Sequence, residues 1–126
     1  MKLIFIFCLF ITICLGCSKL NDSEKPSINI LSPKTNDTIS GNNSEVFLEF
    51  TASDNNKLAS LYLEINDENG KNYFADTKTL AGQNYSYKNS FLVVKNTKLK
   101  ALVMKVNILD EAKNESLSLR TFYLAP

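Results

Sequence analysis

Residues 100 to 110, KALVMKVNILD, set Leu102, Met104, Val106 and Ile108 on one side of an extended chain and Ala101, Val103, Lys105 and Asn107 on the other. Strand side chains alternate between faces, so a period of two sustained over this length marks a central strand with one face fully buried. The same period recurs along the chain. Ile28 and Ile30 alternate with Ser27 and Asn29; Val46, Leu48, Phe50 and Ala52 oppose Phe47; Leu61, Leu63 and Ile65 alternate with Tyr62 and Glu64. Further on, Tyr85, Tyr87, Phe91 and Val93 share a face, and the last run sets Leu117, Leu119, Thr121 and Tyr123 opposite Phe122 and Leu124.

Turn chemistry separates these runs. Ser32-Pro33 interrupts the first, and residues 32–44, rich in Asn, Ser and Gly, read as a long polar loop. DNNK at 54–57 and DEAKNE at 110–115 supply side chains that bond nearby backbone. ENG at 68–70 predicts a tight hairpin in which both Asn69 and Gly70 take positive φ. A fourth strand begins over 72–75, and residues 76–84 read as a loop. About seven strands, turn signals roughly every ten residues and no helical stripe predict an all-β, two-sheet antiparallel β-sandwich, with a small barrel as the alternative.

The N-terminus follows another logic. Lys2 and the free amino group precede an apolar run, Leu3 to Leu15, broken only by Thr12. That run is shorter than the roughly 20 residues a membrane-spanning helix needs, and small Gly16 follows it, so residues 1–16 read as a secretory signal peptide. The order Leu15, Gly16, Cys17 resembles the lipobox of bacterial lipoproteins, with Cys14 standing where that family usually has an aliphatic residue. The resemblance implies that Cys17 receives a thioether-linked diacylglycerol, is further acylated by a palmitate-type chain, and becomes the first residue. Two or three acyl chains make a stable anchor where one is marginal. Residues 17–26 would then be the lipidated cysteine and a flexible tether closed by Pro26, with a typical reach of roughly 17 Å, and residues 27–126 the domain.

With the strands and the leader placed, PSINILSP, TASDNNKLASLYLEI and NILDEAKNES together resemble immunoglobulin-like domains of bacterial surface proteins. The combination is most similar to an uncharacterised, Bacteroidota-type lipoprotein family carrying one such domain over about residues 25–125. That resemblance implies an immunoglobulin-like sandwich in the cell envelope, at the outer membrane, with the periplasmic and surface faces both open. The family's last turn has glycine where this chain has Lys113, so Asn114 is expected to take the left-handed conformation.

Charge and residue types narrow the function. The chain has 14 basic and 13 acidic residues, and the leader contains only Lys2 among them, so the mature segment balances and lacks the basic footprint of a nucleic-acid binder. With no histidine, the Ser-His-Asp and Cys-His arrangements and histidine-based zinc sites are excluded. The expectation is a non-catalytic, monomeric binding or structural domain with no cofactor, held to the membrane through Cys17, its protein or glycan partner unidentified.

Three sets of residues are candidates for a ligand. Asp54, Asp110 and Glu111 fall in loops at one end of a sandwich, where carboxylate oxygens suit calcium, as in cadherin-like domains. At the other end, residues 32–44, 66–71 and 94–98 should face away from the membrane. There Asn36, Asp37, Thr38, Asn42, Asn43, Asp67, Asn69 and Lys71 are the candidate partner-facing residues. The segment Asp37-Thr38-Ile39 also resembles a Bacteroidota O-glycosylation site at Thr38. Tyr62, Tyr73, Tyr85 and Tyr87 could form an aromatic platform for a carbohydrate.

Overall fold

The computed structural model describes residues 21–126; residues 1–16, expected to be a signal peptide, and Cys17 lie outside the described residues. Eight strands follow in order: β1 (Ser27–Ser32), β2 (Thr38–Ser40), β3 (Asn42–Ser53), β4 (Leu58–Asp67), β5 (Asn72–Thr79), β6 (Asn84–Lys95), β7 (Lys100–Asp110) and β8 (Glu115–Ala125). They form a three-stranded sheet, β1-β3-β6, and a five-stranded sheet, β2-β8-β7-β4-β5. All pairings are antiparallel except β2 with β8. Hairpins join β4 to β5 and β7 to β8 within one sheet, while the β3–β4, β5–β6 and β6–β7 connections cross between sheets.

The core is the set of inward positions that the alternation singles out. Val46, Leu48, Phe50 and Ala52 of β3 meet Leu61, Leu63 and Ile65 of β4 and Leu102, Met104, Val106 and Ile108 of β7, all buried. Each such side chain contributes about 1.5–3 kcal/mol relative to leaving it in water. Phe50 stacks on Tyr87 with ring centroids 4.9 Å apart. In β8 the inward face belongs to Phe122 and Leu124, which leaves Leu117 and Leu119 on the outer face, more than half exposed.

Several local expectations are corrected. Residues 32–44 are not one loop: Pro33 has no N–H to give a ladder, so the chain leaves β1 there, crosses to the other sheet and pairs as β2 beside β8. Thr38, Asn42 and Asn43 therefore lie in strands. Residues 76–79 are strand rather than loop, since β5 runs to Thr79. Of the ENG turn only Gly70 has positive φ, 78°. Residues 68–71 connect the two strands: Gly70 N–H donates to Asp67 O, Asp67 N–H donates to Lys71 O, and Gly70 is the left-handed residue between them. In the last turn Lys113 itself is left-handed, φ 70°, because Asn114 is held by Asp110 through its backbone and side chain.

Pro26 leads into β1 at the end of the sandwich where β3 finishes, β4 starts and the β7–β8 turn lies. This is the basal end; the β4–β5 turn, the β6–β7 connection and the start of β3 form the distal end.

Candidate functional site

Three chain segments that are remote in sequence meet at the basal end. Asp54 closes β3, and its Oδ2 accepts a hydrogen bond from Asn56 N at 3.0 Å, an Asx turn that bends the chain toward β4. Asp110 closes β7 and is 2% exposed; its Oδ1 accepts from Asn114 N at 2.7 Å and its Oδ2 from Asn114 Nδ2 at 2.6 Å. The third segment is the approach to β1. Asp22 Oδ1 accepts from Asn55 Nδ2 at 3.1 Å and from Glu24 N at 3.0 Å, Asp22 O accepts from Asn114 Nδ2 at 3.1 Å, and Pro26 O accepts from Ser116 Oγ at 2.5 Å. Residues 21–26 have no regular secondary structure, yet they are hydrogen-bonded onto the domain.

Asp22, Asp54 and Asp110 each offer a carboxylate oxygen, and those oxygens all lie within 4.8 Å of one another. Glu111, expected to join Asp54 and Asp110, does not. It forms an ion pair with Lys57 at 2.5 Å, and its backbone N–H donates to Lys57 O at 2.9 Å. Asp22 takes its place. The sequence carries a faint sign of this, an acidic residue shortly before the first strand and hence at the end where Asp54 and Asp110 fall, but nothing that fixes the contact.

The distal candidates serve the fold more than a partner. Asp67 is 7% exposed, with its Oδ1 accepting from Asn69 N at 2.9 Å and Lys71 N at 3.0 Å, and its Oδ2 lies 3.6 Å from Lys100 Nζ. Burial alone would push its carboxyl up, but the two backbone donors and Lys100 outweigh that and hold it below the usual carboxylate range. The expectation that Asp67 faces outward is therefore corrected: it is the internal acceptor of the β4–β5 turn. Asn69 and Lys71 are exposed beside it. Lys100 Nζ donates to Tyr73 Oη at 2.8 Å, and Lys71 Nζ sits 5.1 Å from the centre of the same ring. Asn36 is exposed and left-handed, φ 63°, with its N–H donating to Thr121 O, while Asp37 Oδ2 accepts from Lys34 N. Thr38, Asn42 and Asn43 are exposed on β2 and the start of β3. These residues stay within the distal end but are spread over two sheets.

The four tyrosines do not form one platform. Tyr62 lies on the outer face of the five-stranded sheet, where its hydroxyl donates to Glu64 Oε2 at 2.7 Å. Tyr87 is in the core, its hydroxyl donating to Asp76 Oδ2 at 2.8 Å across the two sheets. Burial, together with Asp76, pushes the Tyr87 phenol far up, so it serves as a donor throughout the ordinary pH range.

Comparison with known proteins places this geometry. The chain matches the family described as bacterial Ig domain over residues 26–113. No curated protein matches it. Among solved structures, it is similar to the crystal structure of CopC from Methylosinus trichosporium OB3b, at 17% identity and TM-score 0.46, covering 79% of this chain and 95% of that one. It is also similar to the X-ray structure of Northeast Structural Genomics Consortium target SoR45, at 14% identity and TM-score 0.39, covering 81% of this chain and 87% of that one. The family match spans every strand from β1 to β7, and the chain belongs to the bacterial Ig domain family.

Proposed function

We propose that this chain is a cell-envelope lipoprotein whose single immunoglobulin-like domain has a non-catalytic binding or structural role, tethered to the membrane by lipidated Cys17. The observation that carries the reading is the order Leu15-Gly16-Cys17 at the end of an apolar run headed by Lys2. The fold is compatible with such a tether, since the approach to β1 enters at one end of the sandwich, opposite the β4–β5 turn. The proposed outer-membrane location of the Bacteroidota type rests on the resemblance of PSINILSP, TASDNNKLASLYLEI and NILDEAKNES to that lipoprotein family. The neutral mature charge supports a partner other than nucleic acid.

Metabolic labelling with a tagged fatty acid, read beside membrane fractionation, tests this. The native chain should take up label and sediment with membranes, and Cys17→Ser should lose both. An unlabelled native chain, or a Cys17→Ser chain that still sediments with membranes, would sink the proposal. Protease shaving of intact cells then assigns the face: loss of the domain means surface display, and survival means a periplasmic position.

A further inference from the structure

We infer that the open edge of β6 is a docking site for an extended segment of a partner protein, which joins the three-stranded sheet as an antiparallel fourth strand. That segment is apolar at its centre and acidic at the end beside Lys95. The inference gives a partner to the binding role proposed above and rests on that role, not on lipidation of Cys17. Two open sheets have four edge strands, here β1 and β6 in one and β2 and β5 in the other. Prolines, bulges, shortness and inward-pointing charges are devices that keep such edges from pairing. Three of the four edges have them. β1 is six residues between Pro26 and Pro33 with a register shift after Ile30, and β8 covers it through Arg120 Nη2, which donates to Ile30 O at 3.1 Å. β2 is three residues long. The β4–β5 ladder shifts register at Ile65/Asn66, and Asp76 of β5, opposite buried Leu63, points inward to Tyr87.

β6 has none of these devices. It runs for 12 residues without proline and keeps one register with β3 from Asn84 to Lys95. The same register continues to Asp54, whose N–H donates to Gln83 O at 2.8 Å. Ladder bonds in an antiparallel pair recur at every second residue, so the odd-numbered residues of β6 bond β3. The even-numbered ones, Ser90, Leu92 and Val94 among them, turn their N–H and C=O to the open edge. Ser90 N–H, facing no strand, is taken by its neighbour's Asn89 Oδ1 at 2.8 Å. Leu92 and Val94 also stand on the outer face, 62% and 67% exposed, beside Phe47 of β3 at 61%. The same two residues thus offer free main chain and apolar surface, the two things an added strand uses. The lysines of β6 flank this stretch: Lys88 is paired with Glu49 at 3.0 Å, and Lys95 is exposed at the distal end. Among the described residues, neither Lys95 nor exposed Lys98 joins an ion pair, so the complement to that end is acidic. A second copy of β6 does not supply it, since the strand has two lysines and no acidic residue.

The test is a titration of the isotope-labelled, full-length chain in detergent with an acetylated peptide of about ten residues, two glutamates followed by alternating valine and threonine. On saturation, amide exchange at Leu92 and Val94 should slow roughly tenfold or more, while Tyr87, already bonded to β3, changes little. Two further peptides, N-methylated on one or the other alternate set of amides, have the same side chains but differ in the edge they can pair with. One should bind as the parent does, and the other should lose roughly tenfold or more in affinity, the loss expected of two or so main-chain hydrogen bonds. Glutamine in place of both glutamates should weaken binding about twofold to fivefold. Leu92→Pro removes an N–H that the β3 ladder does not use, so it should keep the fold and lose the peptide. Should that variant unfold, the N-methylated pair still decides the matter on the native chain. No protection at about 1 mM peptide, N-methylated forms that behave alike, or a folded Leu92→Pro chain that binds as the native one does would each overturn the inference. So would a chain already dimeric, with Leu92 and Val94 protected before peptide is added, which assigns the edge to a second copy. Labelling at Cys17 is read separately, so either proposal can fail alone.

Discussion

Lys113 shows how one residue can work against its own backbone. Its φ of 70° lies in the left-handed region, where a Cβ crowds the following carbonyl at a cost of about 1–2 kcal/mol. The turn holds it there because Lys113 N–H donates to Asp110 O and Asn114 N–H to Asp110 Oδ1. Lys113→Gly removes the crowding and gives back part of the gain as added freedom of the unfolded chain. Its net effect should be a stabilisation of about 0.5–1 kcal/mol, read from the urea midpoint at unchanged m. A midpoint at or below that of the native chain would contradict this account. The turn itself was legible from Asp110 and Asn114, but which residue turned left-handed was not, since that is decided by how Asp110 holds Asn114. Asp22 was illegible for a related reason. Apart from Glu24, its hydrogen-bond partners Asn55 and Asn114 are 33 and 92 residues away, and no local pattern records them.

At the scale of elements, the long strands were readable and the short ones were not. β3, β4 and β7 announce themselves because each alternates through several apolar residues. β2 is three residues with Ile39 its sole apolar member, and the last four residues of β5, Asp76 to Thr79, contain none. Both are strands because a neighbour offers a ladder, β8 in one case and β4 in the other, which is a property of the assembled sheet. The hinge between β2 and β3 is Gly41, which is buried and donates its N–H to Ala125 O at 2.9 Å. A Cβ there would collide with that same carbonyl and with Asn96 Cβ. Asn96 is itself fixed, since its Nδ2 donates to Leu124 O and Ala125 O, both at 3.1 Å. Gly41→Ala should therefore cost about 1–3 kcal/mol. It should also speed hydrogen exchange at Tyr123 N, which donates to Asp37 O just before β2, more than at the centre of β7. Equal protection at both places would show that β2 is not the element that moves.

For the molecule as a whole, stability comes from the two packed sheets and from nothing covalent. All three cysteines lie at or before position 17, so no disulfide can join two strands. The thermal midpoint of the domain should accordingly be the same with and without a reducing agent; a fall on reduction would reveal a cross-link that this fold does not hold. The sandwich was legible because alternation reports which face is buried, and the basal grouping of Asp54 with Asp110 followed from strand direction alone. What the chain withheld was the course of residues 21–26 along the base, where Asp22 displaces Glu111 from the cluster. That course has a mechanical side. The N-terminal segment enters along the line of β1, whose ladder with β3 runs from Ser27–Ser53 to Ser32–Glu49, with hydrogen bonds lying across that line. A load applied through the N-terminus against a held distal end pulls this ladder in shear. Its bonds then resist together instead of opening one after another from the end, and the same strand that begins the fold becomes the part that bears tension.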